Sequence, residues 1–206
     1  MPRRADVDLR REKRAGELLR GEAALSLRIT TGTLRGRRIP VPRGDVRPTS
    51  ERARQAFFNI VGDRIDNARF LDLYAGSGIF AFEAVSRGAA EAIAVDEWRP
   101  STQAIEKLAK EWNAPVKTIT ADAFAGIKRL GSGVFDVIYA DPPYAFERHD
   151  ELLMAIEADV HLAPGATLAI EHRRRSEPFQ SEPRKLHFER RAEYGEVWIS
   201  IWRTNG

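Results

Sequence analysis

Along this chain the spacing of apolar positions switches several times between a period of two and a period near 3.6, and each switch marks an element. Leu27 and Ile29, then Leu34, Ile39 and Val41, alternate with polar residues around a Gly-containing turn, which predicts a small β-hairpin. Arg47-Pro48-Thr49-Ser50 opens a helix running to about Val61, with Thr49 or Ser50 as its cap and Ala53, Ala56, Phe57, Ile60 and Val61 as its apolar stripe. Apolar runs at 70–74, 92–95, 116–119, 134–140 and 166–170 then read as strands. Helical patterns at about 78–87, 100–112, 123–130 and 148–159 lie between them, with Pro100 suited to a first turn and Gly88 to a C-terminal cap. Strand and helix in alternation predict an α/β fold: a mostly parallel sheet, helices on both faces, and ligands at the carboxyl ends of the strands. Segments 185–191 and 196–202, around Tyr194-Gly195, predict a closing antiparallel hairpin.

Before Leu27 the pattern is different. Residues 1–26 alternate Arg and Lys with Asp and Glu and carry too little apolar surface to pack alone, so they read as an exposed helix or a disordered tail. The expected organisation is a charged extension (1–26), a basic hairpin and helix (27–62) and a nucleoside-binding domain (63–206).

Composition narrows the chemistry. The 206 residues hold no Cys, and His149, His161, His172 and His187 lack ligand spacing, so neither a disulfide framework nor a metal site is expected. No membrane-crossing run or secretory signal is visible, and the chain reads as a cytosolic protein. Its formal net charge is only +3, yet eight Arg lie between Arg28 and Arg54 against Asp45 and Glu51, with a second cluster at Arg173-Arg174-Arg175. Basic surface of this kind either attracts polyanions or is simply a solvated face.

Asp72-Leu-Tyr-Ala-Gly76-Ser-Gly78 follows the first long strand and opens a helix, a tight turn whose glycines let backbone approach a ligand. Asp96 ends the second strand, placed to take the hydroxyls of a ribose. Asp122-Ala123-Phe124 ends the third, where a carboxylate and the Ala123 N–H can hold an adenine edge beside the Phe124 ring. Each Asp alone also reads as an ordinary helix cap; three in order favour an adenosine site. S-adenosylmethionine suits it better than NAD, because an acid under the glycine turn matches a cationic amino acid and no catalytic residues for hydride transfer are evident.

Asp141-Pro142-Pro143-Tyr144 ends the fourth strand. An Asp carboxylate and a Pro carbonyl can each accept one N–H of an exocyclic amino group, while Tyr144 stacks on its ring, so the turn points to amino-group methylation. Glu171-His172, after the fifth strand, borders the same cleft or is a solvated strand end. Trp98, Trp112, Trp198 and Trp202 read as packing residues.

With these residues assembled, the chain resembles the RsmD family of bacterial 16S ribosomal RNA guanine-N2 methyltransferases. The resemblance rests on Arg28–Pro42, Arg47–Asn59, Leu71–Gly78, Asp141–Tyr144 and Tyr194-Gly195. It implies a Rossmann-like class I methyltransferase fold with a seven-stranded sheet, S-adenosylmethionine as cofactor, and a 16S ribosomal RNA substrate within a small-subunit particle; separately, no long exposed apolar stripe asks for a partner, so a monomer is expected. It further implies that Asp72, Gly76, Gly78, Asp96, Asp122 and Ala123 line the cofactor, with Arg47, Pro48 and Thr49 against its methionine end. Asp141, Pro142 and Tyr144 would face the guanine, and Arg35, Arg37 and Arg38 would touch RNA phosphates. Family members begin near Arg28, so residues 1–26 are an extension or precede the true start; whether Asp96 or Glu97 holds the ribose stays open. The competing expectations are methylation of DNA adenine or cytosine or of a protein glutamine, and a non-catalytic RNA-binding module.

Overall fold

The computed structural model describes residues 26–41, 51–143, 145–174 and 178–206. Arg47, Pro48 and Thr49, Tyr144, and the charged segment before Ser26 lie outside the described residues.

Two short strands, β1 (Ser26–Arg28) and β2 (Arg38–Pro40), form the expected hairpin, with Leu27 opposite Ile39. Helix α1 (Glu51–Val61) follows. Five strands then alternate with helices: β3 (Arg69–Leu73), α2 (Ile79–Ser86), β4 (Glu91–Asp96), α3 (Arg99–Trp112), β5 (Val116–Thr120), α4 (Ala123–Ile127), β6 (Val134–Ala140), α5 (His149–Asp159) and β7 (His161–Arg173). The chain closes with β8 (Leu186–Tyr194) and β9 (Val197–Thr204). The seven-stranded sheet runs β5-β4-β3-β6-β7-β9-β8, parallel from β5 to β7, with β9 antiparallel to both of its neighbours. Strand order reverses at β3, whose neighbours β4 and β6 are reached by crossovers in opposite directions. A crevice therefore opens above the carboxyl ends of β3 and β6.

Residue parity divides the core in two. Phe70 on β3, Tyr139 on β6 and Ala169 on β7 face one side, where they pack with Phe57 and Phe58 of α1, Phe80 and Phe82 of α2 and Ile105 of α3. Leu71, Ile138 and Ile170 face the other side, against Ile127 of α4 and Leu152, Leu153 and Ile156 of α5. Buried Ile29, Leu34 and Ile39 place the hairpin in the first of these clusters.

A single buried carboxylate fastens the hairpin. Glu83, in α2, accepts hydrogen bonds from Thr30 N (3.0 Å), Thr30 Oγ1 (2.5 Å) and Arg87, and pairs with the Arg54 guanidinium of α1 at 3.6 Å. Arg54 is 0 % exposed and donates a further hydrogen bond to the Arg28 carbonyl. A few residues away, Thr33 N and Leu34 N donate to the carbonyl and hydroxyl of Ser86.

Two expectations shift. Strand β7 begins at His161 rather than near 166, because the chain passes the Pro164-Gly165 breaker in a bulge: register jumps from Phe135↔Leu162 to Val137↔Thr167, and Gly165 has φ +70°. Helix α4 ends at Ile127, short of 130.

Candidate active site

The glycine turn after β3 has the geometry its residues dictate. Tyr74, Gly76 and Gly78 all take positive φ, a region that glycine enters without cost and tyrosine does not. A Cβ on Gly78 would meet Ile105 of α3 at 2.7 Å, so the turn sits tight against that helix. Beneath it, Asp72 is buried, and its Oδ2 accepts the Ala81 N–H at 3.1 Å. Burial pushes the Asp72 carboxyl well above the usual range.

Asp96 bridges the turn and α3, accepting Gly76 N through Oδ2 and Trp98 N through Oδ1, each at 2.8 Å. Ser101 Oγ donates to the Gly76 carbonyl. Asp122 caps α4 by accepting the Ala125 N–H at 3.0 Å. Asp122 therefore does the capping that sequence alone allows, whereas Asp96 binds the glycine turn and the N–H of the residue preceding α3 without capping the helix; the carboxylate oxygens of both keep acceptor capacity. Asp72 near the end of β3, Asp96 at the end of β4 and Asp122 just past β5 stand at the carboxyl ends of adjacent strands, to one side of the crevice. Glu97, the other candidate for the ribose, is exposed. Trp98 is 42 % exposed at this rim, a correction to its reading as a packing residue.

Beside the start of α4, the Arg148 guanidinium lies 4.3 Å from the Phe124 ring centre, and Tyr74 packs edge-on against Phe146. The segment after the Pro-Pro turn thus reaches across to α4.

On the other side of the crevice, Asp141 N donates to the Leu73 carbonyl at 3.3 Å, which ties the Pro-Pro turn to the end of β3. A cavity of about 310 Å³ opens beside it, lined by Asp141, Pro142, Phe146, His149, Glu171 and His172 among others. Glu171 is a wall of this cleft and not a solvated strand end: it is 7 % exposed and accepts the Tyr139 hydroxyl hydrogen bond at 2.6 Å. Burial first, then the Asp141 charge, pushes its carboxyl up to about 8. His149 faces the cleft from α5; burial lowers its pKa, and its Nδ1 has no hydrogen-bond partner among the described residues. Tyr139 and His149 were not singled out from the sequence. A Tyr two positions before Asp141, hence on the same face of β6, is the signal that was available.

Arg35, Arg37 and Arg38 are exposed on the hairpin, with Arg37 5.1 Å from the Trp112 ring centre. Among the described residues no group of three or more His, Cys, Asp or Glu side chains converges as a metal site, and no helix is long and apolar enough to cross a membrane.

The family described as Conserved hypothetical protein 95 matches residues 27–203. Ribosomal RNA small subunit methyltransferase D of Escherichia coli K12 is 33 % identical over 147 residues, covering 70 % of this chain and 74 % of the relative. Its Haemophilus influenzae namesake is 28 % identical over 150 residues, covering 70 % and 78 %. Among solved structures, the Escherichia coli protein yhhF superposes with a TM-score of 0.77 at 28 % identity, covering 88 % of this chain and 99 % of that one. An RNA methyltransferase from Salinibacter ruber, solved with S-adenosyl-L-homocysteine, shares the fold at a TM-score of 0.57 and 15 % identity, over 77 % and 94 % of the two chains.

Proposed function

Because this chain belongs to the family of ribosomal RNA small subunit methyltransferase D, we propose that it is an S-adenosylmethionine-dependent ribosomal RNA methyltransferase whose target is the N2 amino group of a guanine in 16S ribosomal RNA. The observation that carries this reading is the Asp141 N–H to Leu73 C=O bond, which sets the amino-binding turn directly beside the glycine turn.

The residues fit the cofactor by the chemistry of their donor set. Asp72, whose burial favours the neutral carboxyl until a cation lies beside it, offers its oxygens to a cationic amino acid, Asp96 offers oxygens to ribose hydroxyls, and Asp122 with the Ala123 N–H offers an acceptor and a donor to adenine. Gly76 and Gly78 keep the turn low, and Arg47, Pro48 and Thr49 are assigned to the methionine end. When bound, S-adenosylmethionine would supply a sulfonium methyl group to the guanine amino nitrogen, with the C–S electron pair leaving on S-adenosylhomocysteine and one N–H proton released to solvent.

The chain's own part is orientation. The Asp141 carboxylate and the Pro142 carbonyl accept the two N–H groups, which draws the nitrogen lone pair out of conjugation as its new bond forms. These hydrogen bonds strengthen towards the transition state, so they accelerate the step instead of merely binding the base. Tyr144 stacks on the ring. Arg35, Arg37 and Arg38 meet RNA phosphates, and a monomer acts on the small-subunit particle in the cytoplasm.

Tritiated methyl transfer to small-subunit particles lacking the modification, followed by nucleoside analysis, tests the target. Label in N2-methylguanosine is expected, and label in methyladenosine would refute the assignment. In the same assay Asp141→Ala should lose about 10²- to 10³-fold in rate while calorimetry shows normal cofactor binding.

A further inference from the structure

We propose that Glu171 is a positioning residue whose carboxyl shares a proton with Asp141 and so fixes which way the Asp141 carboxylate presents its accepting oxygen. This inference rests on the amino-methylation reading given above and adds a residue to it.

The geometry begins with register. Tyr139 pairs with Ala169 and Ala140 with Ile170, so one step further along the two parallel strands residues 141 and 171 stand level on the same face. Tyr139 Oη donates to Glu171 Oε2 at 2.6 Å, and the Asp141 side chain is the second hydrogen-bond partner of Glu171. Both acids line the same 310 Å³ cavity. A hydrogen bond between two carboxyl groups needs a proton, because an ionised carboxylate can only accept. The Tyr139 hydroxyl is already committed to Oε2, so the bond to Asp141 is made by a carboxylic acid.

The surroundings decide which group holds that proton. From β6, Tyr139 and Asp141 face Glu171; from β3, Asp72 acts electrostatically on both. Arg54, from α1, acts on Tyr139 but is engaged by Glu83 and the Arg28 carbonyl. Glu147 from the segment before α5, His149 from α5, and His172 and Arg173 from β7 complete the charged and titratable lining of the cleft, with burial keeping His149 towards its neutral form. Burial and the Asp141 charge hold the Glu171 proton to about pH 8, so at neutral pH Glu171 is the donor and Asp141 the oriented anion. Loss of that proton leaves two adjacent anions, and Asp141 turns away from the amino group.

Glu171→Gln separates positioning from packing, since an amide accepts from Tyr139 and donates to Asp141 without titrating. The kcat/KM of the wild type should fall as pH rises through about 8, whereas Glu171→Gln should lack that fall. At neutral pH, Glu171→Gln should stay within about threefold of wild type and Glu171→Ala should lose about 100-fold in kcat at unchanged cofactor affinity, the penalty of a misdirected group. The same alkaline fall in Glu171→Gln, or full kcat in Glu171→Ala, overturns the proposal. A readout independent of the substrate is infrared spectroscopy: a protonated-carboxyl band should titrate near pH 8 in wild type and be missing from Glu171→Gln. Absence of that band refutes the shared proton whatever the RNA target. Its presence together with no methyl transfer to guanine would sink the functional reading and leave the proton where it is placed here.

Discussion

Gly32 has no room for a side chain: at φ +82°, a Cβ there would fall 1.5 Å from the Ser86 carbonyl oxygen. Gly32→Ala should therefore push the hairpin off α2 and cost about 2 kcal/mol or more, read from urea melts. At Glu171 the matter is charge. Its folded pKa of about 8 stands above the ordinary 4.5, so the folded protein binds that proton more tightly than the unfolded chain does. The stability it contributes is complete below about pH 4.5, is lost as pH rises through about 8, and is on the order of a few kcal/mol. Urea melts from pH 5 to 9 should show this decline, and Glu171→Gln should flatten it; an unchanged slope in the variant would contradict the shift. Asp96 and Asp122 were legible in the sequence because each follows an apolar run, and Asp72 because it interrupts one just before the glycine turn. What they bond to was not, since Asp96 reaching Gly76 and Asp122 reaching Ala125 depend on how the turns fold. The exposure of Trp98 was illegible for a related reason: an aromatic at a strand end looks the same whether the helix after it turns towards or away from it.

Among the elements, hairpin, α1 and α2 act as one unit held by Glu83. Removing that carboxylate strands the Arg54 guanidinium in the core, where burial already lowers its pKa. Glu83→Ala should cost about 3–5 kcal/mol in denaturant melts, more than any exposed ion pair such as Lys110–Glu106 would. Exposed hairpin arginines should behave oppositely. Replacing Arg35, Arg37 and Arg38 with Ser should leave the melt nearly unchanged, but if each meets a phosphate it should reduce the slope of log RNA affinity against log salt by about 2. The elements themselves were largely readable from periodicity, because β3 to β6 are short apolar runs bounded by turns. Strand β7 was not, since its first residues, His161–Gly165, lack a strand pattern and are held by pairing with β6 and by Thr204 and Asn205. The Glu83 bolt was also hidden, because Thr30, the hairpin residue it holds, is 53 residues away along the chain.

Across the whole molecule, the crevice lies between elements contributed by β3, β4 and β5 on one side and β6 and β7 on the other, so a bound nucleoside ties the halves together. At 100-fold excess over its dissociation constant, S-adenosylhomocysteine should add about 2.7 kcal/mol, raising the melting temperature by roughly 5–10 °C. The bulge in β7 divides that strand into two stretches with separate tolerances. An alanine inserted between Ala163 and Gly165 enters a stretch already out of step with β6, so it should cost stability and spare catalysis. One inserted between Thr167 and Ile170 must rotate every later side chain by half a turn, carrying Glu171 to the opposite side of the sheet and bringing Ile170 into its place. Lengthening the same strand by the same residue a few positions apart should thus yield a weakened enzyme in one case and a folded but silent one in the other.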